Sequence, residues 1–481
     1  GTIYALHLTP KGASYDVTKE EFVVGVPLNV TDGVIGKDGH FYFAVGGRGT
    51  NSALYRVTYV GKEPTDWQPR GNKLAIGSRE TRKAMEQFHG KQVPGAIDKI
   101  WPKLGHEDRF IRFAARVALE HQPVSDWSER ALLETSTQPA LSALLALARQ
   151  GDKSLQPRLI EAISGLPAAE MDEAQKLELL RVLGLAIIRM GQPPAEVAEQ
   201  IITAISPYYP AASDALNREL VAMLVILGDP SVVAKTVPLL NQEASTAEGL
   251  VLSDELLNRS GYGKAFAQTQ DSNPQRQQIW YAYALKNATS GWTPALRKDF
   301  FTWFAKARNF KGGNSFVGFL DNFRKEALAE ISDPKERAAM DELSKQKIAL
   351  IPEGYENARK IDVGAKVGMK FDKELLEAQA GEKISIVLLN NDPTGIMHNL
   401  AVCTPGSREK VVAASLKIGP KAIEQNFVPD IPEVLASTPQ VAPGRKYTLY
   451  MTAPSEPGDY PYVCTYPGHG QLMHGVLKVK K

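Results

Sequence analysis

The sequence predicts a multidomain chain that runs all-β, all-α, all-β: a short β segment, a long helical repeat domain and a C-terminal Greek-key sandwich. Three observations predict it. At 481 residues the chain exceeds what one ordinary core serves, so two to four domains are expected. The hydrophobic period switches from 2 to about 3.6 and back to 2 along the chain. Stretches without period lie at the two switches, one carrying Pro64, Pro69 and Pro94, the other Pro352, Gly354, Gly364 and Gly368.

Composition narrows the class. Hydrophobic residues make up 43% and charged residues 23%, as in soluble globular proteins. The 56 basic and 54 acidic residues leave a net charge of +2, so no global field draws nucleic acid or an anionic membrane. No apolar run is long enough to span a bilayer. The two cysteines, Cys403 and Cys464, exclude a disulfide framework and four-thiolate iron–sulfur ligation. No Cys-x-x-Cys-His is present, so covalent haem is not encoded. The chain starts Gly1-Thr2, without a signal peptide or initiator Met, so either a leader was removed or the chain is part of something longer.

Residues 1–62 alternate in short runs, such as Tyr4-Ala-Leu-His-Leu and Leu54-Tyr-Arg-Val-Thr-Tyr-Val60. Turns at Gly33, Gly36, Gly39 and Gly46-Gly-Arg-Gly49 separate them. As a phosphate loop the last is weak, because no helix follows it. Residues 63–94 read as a linker with a helix around Glu80–Phe88. From 95 to 345 the period is helical: Phe110–Leu119, Leu141–Ala148, Leu177–Leu183, Leu216–Leu224 and Val232–Leu240 carry apolar residues at i, i+3, i+4 and i+7. Stops recur at Gly105, Gly151, Gly165, Gly191 and Gly228, and Pro230-Ser231 signals a restart. Paired helices at irregular periods of roughly 30–45 residues suggest a HEAT-like α-solenoid, with an irregular helical domain as the alternative. Trp292, Phe300, Phe301, Trp303, Phe304 and Phe310 form an aromatic stretch, read as core packing or as a docking surface. Residues 346–372 read as a linker or as a strand leading into the last domain.

Residues 373–481 carry short strands at Ile384–Leu389, Asn399–Val402, Lys446–Met451, Gly458–Val463 and Gly475–Val479. Turns at Asn390-Asn-Asp-Pro-Thr-Gly395, Pro443-Gly444 and Pro454–Gly458 divide them. Seven or eight strands in this length make a Greek-key sandwich. An insertion at 406–436 holds a helical pattern, Glu409–Leu416.

This last domain carries the chemistry. Cys464, His469 and Met473 are spaced Cys-x4-His-x3-Met, with His398 upstream. Two imidazoles and a thiolate in a plane, with a distant thioether, make a blue-copper electron-transfer site. Soft sulfur favours Cu(I), imidazole tolerates Cu(II), and a Pro-Gly turn stiffens the loop. A Cys403–Cys464 disulfide is the structural competitor. Strand parity opposes it: His398, Leu400 and Val402 share one face, which turns Cys403 to the other as a free, buried thiol. His474 reads as a rim residue. His7, His40, His89, His106 and His121 show no metal-ligand spacing. The absence of a His-x-His pair excludes the further centres of multicopper oxidases.

The closing run resembles azurin and auracyanin, of the plastocyanin/azurin (cupredoxin) family. Those proteins end in Cys-Thr-Phe-Pro-Gly-His, two residues, Leu-Met, one residue, Gly. Here it is Cys464-Thr-Tyr-Pro-Gly-His469-Gly-Gln-Leu-Met473-His-Gly475. The resemblance implies one type 1 copper, with His398, Cys464 and His469 equatorial and Met473 axial. It also implies that Asn399 ties the first-His loop to the Cys loop. Met397 stands where azurin has the Gly whose carbonyl lies near copper, so no strong fifth ligand is expected. Gly39–Thr50 is similar to the closing blade of glucose- and sorbosone-dehydrogenase-like propellers in planctomycete-type membrane-bound dehydrogenases, and Gly105–Arg116 to the helical domain after it. One blade cannot close a propeller, so residues 1–62 are a truncated propeller or a β cap on the next domain.

The expectation is a periplasmic or exported one-electron carrier, more a carrier than an enzyme, exchanging electrons through the His469 imidazole edge. Its partner would be a c-type cytochrome or a dehydrogenase. Alternatives are the C-terminal portion of a larger sugar or alcohol dehydrogenase with a built-in acceptor, and a scaffold or copper carrier.

Overall fold

The computed structural model of the chain describes residues 1–25, 28–47, 51–64, 73–244, 275–310 and 316–481. Arg48, Gly49 and Thr50 of the Gly-rich turn, and Pro69, lie outside them. Residues 1–192 form one compact unit and residues 193–481 a second.

In the first unit, β1 (Thr2–Lys11) and β2 (Ser14–Val24) form an antiparallel hairpin. Strands β3 (Val30–Ile35), β4 (Phe41–Val45) and β5 (Ala53–Val57) form a three-stranded antiparallel sheet. Phe43 stacks between Phe41 and Tyr55 and is buried. Leu6, Leu8, Val34, Ile35 and Leu54 are exposed. The hairpin is joined to the helices through Ala13, whose N–H donates to Asp108 and whose carbonyl accepts from Arg82.

The helices that follow form where the sequence period becomes 3.6. Helix Arg109–Glu120 starts at Asp108, whose carboxylate accepts from the Phe110 N–H, and buries Ile111, Ala114, Ala115 and Ala118 on one face. Helix Glu173–Met190 starts at a capping box of Asp172 and Gln175. Helices Lys73–Glu86, Arg109–Glu120, Thr137–Gln150 and Glu173–Met190 pack each against the next. Trp101, Trp127, Leu119, Leu141, Leu144 and Leu147 are part of their shared core.

The second unit begins with more helices. Helix Asp214–Leu227 ends at Gly228, whose φ of 81° suits glycine, and the next, Val232–Thr236, follows Ser231. The aromatic stretch is core: Phe300, Phe301, Trp303 and Phe304 are all buried, with ring centroids 5.2–6.0 Å apart. Their burial removes the docking-surface reading for these four rings.

The sandwich has two five-stranded sheets. One is ordered β6 (Glu243–Ala244), β13 (Arg445–Thr452), β10 (Lys383–Asn390), β7 (Arg359–Lys366), β8 (Lys370–Phe371). The other is ordered β12 (Val434–Ser437), β11 (Ala401–Cys403), β14 (Gly458–Val463), β15 (His474–Lys480), β9 (Leu375–Gln379). The pairs β7–β10 and β9–β15 are parallel. Between the sheets, alternate residues meet: Ile361 and Val363, Ile384, Ile386 and Leu388, Leu400 and Val402, Tyr460 and Tyr462, Leu477 and Val479. Each buried aliphatic side chain here contributes about 1.5–3 kcal/mol. The segment 346–372, read as linker or strand, supplies β7 and β8.

Strand β6 comes from the helical part and closes the open edge of β13. The preceding residue secures it. Gln242 is buried; its amide donates to the Gln440 carbonyl at 2.6 Å and accepts from the Ala442 N–H at 3.0 Å. The Gln242 carbonyl in turn accepts from Gln278 at 2.6 Å. Among the described residues no helix is long and apolar enough to cross a membrane.

Candidate metal centre

Two loops at one end of the sandwich converge. His398 lies just before β11, where it exchanges backbone hydrogen bonds with Val441. Cys464 is the residue after β14, and its N–H donates to the Met473 carbonyl at 3.0 Å. The segment between Cys464 and Met473 folds back on itself. The His469 N–H donates to the Tyr466 carbonyl, the Met473 N–H to the His469 carbonyl, and Gly468 turns with φ of 83°. That positive φ at the centre of the loop is what the Pro-Gly pair supplies.

The loops are locked together by Asn399. Its side-chain carbonyl accepts from the Thr465 N–H at 2.8 Å. Its amide donates to the Thr465 hydroxyl at 2.7 Å and to the Asn426 carbonyl at 3.1 Å. This is the tie that the Asn after the first His was expected to make.

The three donor atoms form a closed triangle. Cys464 Sγ lies 4.0 Å from His398 Nδ1 and 3.7 Å from His469 Nδ1, and the two Nδ1 atoms are 3.2 Å apart. The circumcentre of such a triangle lies about 2.1 Å from each corner, the length of a first-row metal–imidazole bond and slightly under a metal–thiolate bond. His398 and Cys464 are fully buried and His469 nearly so. Among the described residues this is the one such group of His, Cys, Asp or Glu that could hold a metal ion. Met473 is fully buried in the same core cluster as Cys464. Of the four residues that the sequence named, the fold brings the donor atoms of His398, Cys464 and His469 together, and Met473 lies in the core cluster of Cys464.

Electrostatics suit a soft or borderline cation. Burial pushes the Cys464 thiol up to about 11, against backbone N–H groups of Asn399 and Tyr466 that favour the thiolate. Burial, and then the neighbouring His398, push His469 down to about 4. Burial also lowers His398. The imidazoles are therefore neutral and ready to donate a lone pair, and a metal entering here displaces the thiol proton.

Cys403 sits elsewhere. It belongs to a separate cluster with Ala401, Val411, Val412 and Val463, and both cysteines are free thiols. Burial pushes the Cys403 thiol up to about 12. Parity along the strand thus separates the two sulfurs, as expected.

A profile of the family described as copper binding proteins, plastocyanin/azurin family, matches residues 358–480. Auracyanin-A of Chloroflexus aurantiacus is 34% identical over 123 residues, which cover 25% of this chain and 73% of that protein. The chain belongs to the plastocyanin/azurin family of copper-binding proteins. Outer membrane protein H.8 of Neisseria gonorrhoeae is 32% identical over 113 residues, covering 22% of this chain and 60% of that protein. The solved structure of auracyanin A, titled a "blue" copper protein, is 32% identical, covers 25% of this chain and 98% of that one, and has a TM-score of 0.23.

The cupredoxin site has neighbours that sequence reasoning missed. Asp392 was read as a turn residue; it is buried, with Oδ2 3.1 Å from His398 Nε2. Its signal was a carboxylate six residues before a ligand candidate. The Tyr466 ring packs tilted against His469 with centroids 4.7 Å apart, and Phe427 tilted against Tyr466 at 5.1 Å. The insertion expected at 406–436 does form a helix, Arg408–Ser415. Its Val412 packs so close to Gly470 that a Cβ there would meet Val412 Cγ2 at 2.5 Å. The Phe427–Tyr466 and Val412–Gly470 contacts join distant segments and leave no mark at short sequence range. His474 opens β15 half-buried, opposite Val463.

Proposed function

We propose that His398, Cys464 and His469 hold one copper in their plane, with Met473 as the weak axial ligand, and that the chain passes single electrons between redox partners. The closed triangle of one thiol and two neutral imidazoles carries this reading. Copper-family membership supports the cofactor, and electron transfer is the blue-copper function of that family. When bound, the copper supplies reversible one-electron chemistry with little change of geometry. The chain supplies the rest. Asn399 holds the two ligand loops in register, the Pro-Gly turn stiffens the Cys464–Met473 segment, and burial excludes water from the donors.

Electrons would cross at His469. The residue is 5% exposed, inside a rim of exposed Pro467, Gly468, Gln471 and Leu472. The partner would be a c-type cytochrome or a dehydrogenase, and the compartment periplasmic or extracellular. The name of the H.8 relative supports an exported setting. Copper reconstitution of the full chain tests the reading: one copper per chain, an intense visible band when oxidised, and loss of that band on reduction. A colourless oxidised protein after loading would refute it.

One observation favours a second reading, in which this cupredoxin is the built-in acceptor of a larger quinoprotein-like dehydrogenase. The strands β1–β5 leave Leu6, Leu8, Val34, Ile35 and Leu54 exposed, as edge blades of a truncated propeller would. The successive helix packing of residues 73–190 supports the HEAT-like solenoid that such proteins carry. The native mass decides: a protein well above 52.6 kDa with further β-rich sequence supports this reading, and a native mass of 52.6 kDa removes it.

A further inference from the structure

Asp392 does more than shape a turn. Its side chain and that of His398 are both shielded from solvent, at 2% and 0% exposure. One carboxylate oxygen faces His398 Nε2 at 3.1 Å. The other accepts from the Thr394 N–H at 2.9 Å and from the Thr394 hydroxyl at 2.6 Å. The Asp392 N–H donates to Asn390 Oδ1, while the Asn390 amide donates to the carbonyls of Ile396 and Val441. The loop is therefore built to present this carboxylate to the outer nitrogen of the His398 ring. The inner nitrogen, Nδ1, faces Cys464 and His469.

A buried carboxylate oxygen 3.1 Å from the outer nitrogen fixes a proton on Nε2, leaves the Nδ1 lone pair for the metal, and makes the ring a better donor. Its charge also discriminates between valences. A Cu(II)–thiolate unit carries one net positive charge and a Cu(I)–thiolate unit none, so a nearby carboxylate stabilises the oxidised form more.

We propose that Asp392 is a positioning residue that orients His398 toward the copper and lowers the reduction potential of the centre. The inference rests on the copper reading above. It is tested on the full chain loaded with copper, by comparing wild type with Asp392→Asn, which keeps the shape and one acceptor oxygen but removes the charge. The midpoint potential shifts positive, copper affinity falls by about 10–100-fold, and the visible band persists. A potential equal to that of wild type overturns the proposal. Absence of the visible band from wild type itself refutes the copper reading instead.

A second measurement needs no variant. In the reduced, diamagnetic protein, the His398 Nε2 proton is expected as a downfield ring signal that exchanges slowly with water. A ring proton exchanging at solvent rates, or residing on Nδ1, overturns the proposal even if Asp392→Asn fails to fold.

Discussion

Cys464→Ser is expected to abolish the intense visible absorption of the oxidised, copper-loaded chain. The band arises from charge transfer between thiolate and Cu(II), and a serine hydroxyl supplies neither the soft sulfur nor a deprotonated donor at neutral pH. The geometry sharpens the expectation. Cys464 Sγ is the single sulfur in the triangle, at 3.7 and 4.0 Å from the imidazole nitrogens, and is fully buried. Serine is close in size, so the fold is retained and the loss is chemical. Optical titration with copper checks this, with Cys403→Ser as the control. Cys403 is fully buried in a different cluster, and its substitution should leave the spectrum unmoved. A blue Cys464→Ser protein, or bleaching by Cys403→Ser, would contradict the assignment of the sulfur.

The second large effect lies away from the copper. Gln242→Ala is expected to destabilise the second unit by about 2–5 kcal/mol, because it leaves the buried Gln440 carbonyl and Ala442 N–H without partners. These backbone groups lie on the segment that leads into β13, next to Val441, which bonds His398. Weakening them loosens the copper end as well as the sheet edge. The measurement is denaturant unfolding of the full chain, read by the visible band and by far-ultraviolet circular dichroism. Coincident transitions at lower denaturant are expected. A midpoint within error of wild type would show that Gln242 is dispensable and that water satisfies both groups.

Much of the copper site was legible in the sequence because its determinants are local. Cys464, His469 and Met473 lie within ten residues, and a tight turn brings Cys464 Sγ and His469 Nδ1 to 3.7 Å. His398 and Asn399 were legible through the resemblance to azurin and auracyanin, and strand alternation separated Cys403 from Cys464. Strands β10, β13, β14 and β15 followed from period-2 runs bounded by turns. Strand β7 was harder to read, since Arg359–Lys366 mixes Lys, Asp and Gly with its apolar residues and is secured by parallel pairing with a strand of distant sequence. Strand β6 is two residues long and exists because β13 has an open edge there.

The sequence by itself determined the spacing of the Cys464–Met473 run, the order of β and helical segments along the chain and the separation of the two thiols. Each depends on spacing within one turn, one strand or one helix, where covalent geometry limits the options. Only the tertiary structure decided that Asp392 faces His398, that Tyr466 and Phe427 pack beside His469, and that Gln242 secures the sandwich edge. Those contacts join segments up to 200 residues apart. Their formation depends on side chains competing for the same buried space, which no single stretch of sequence records.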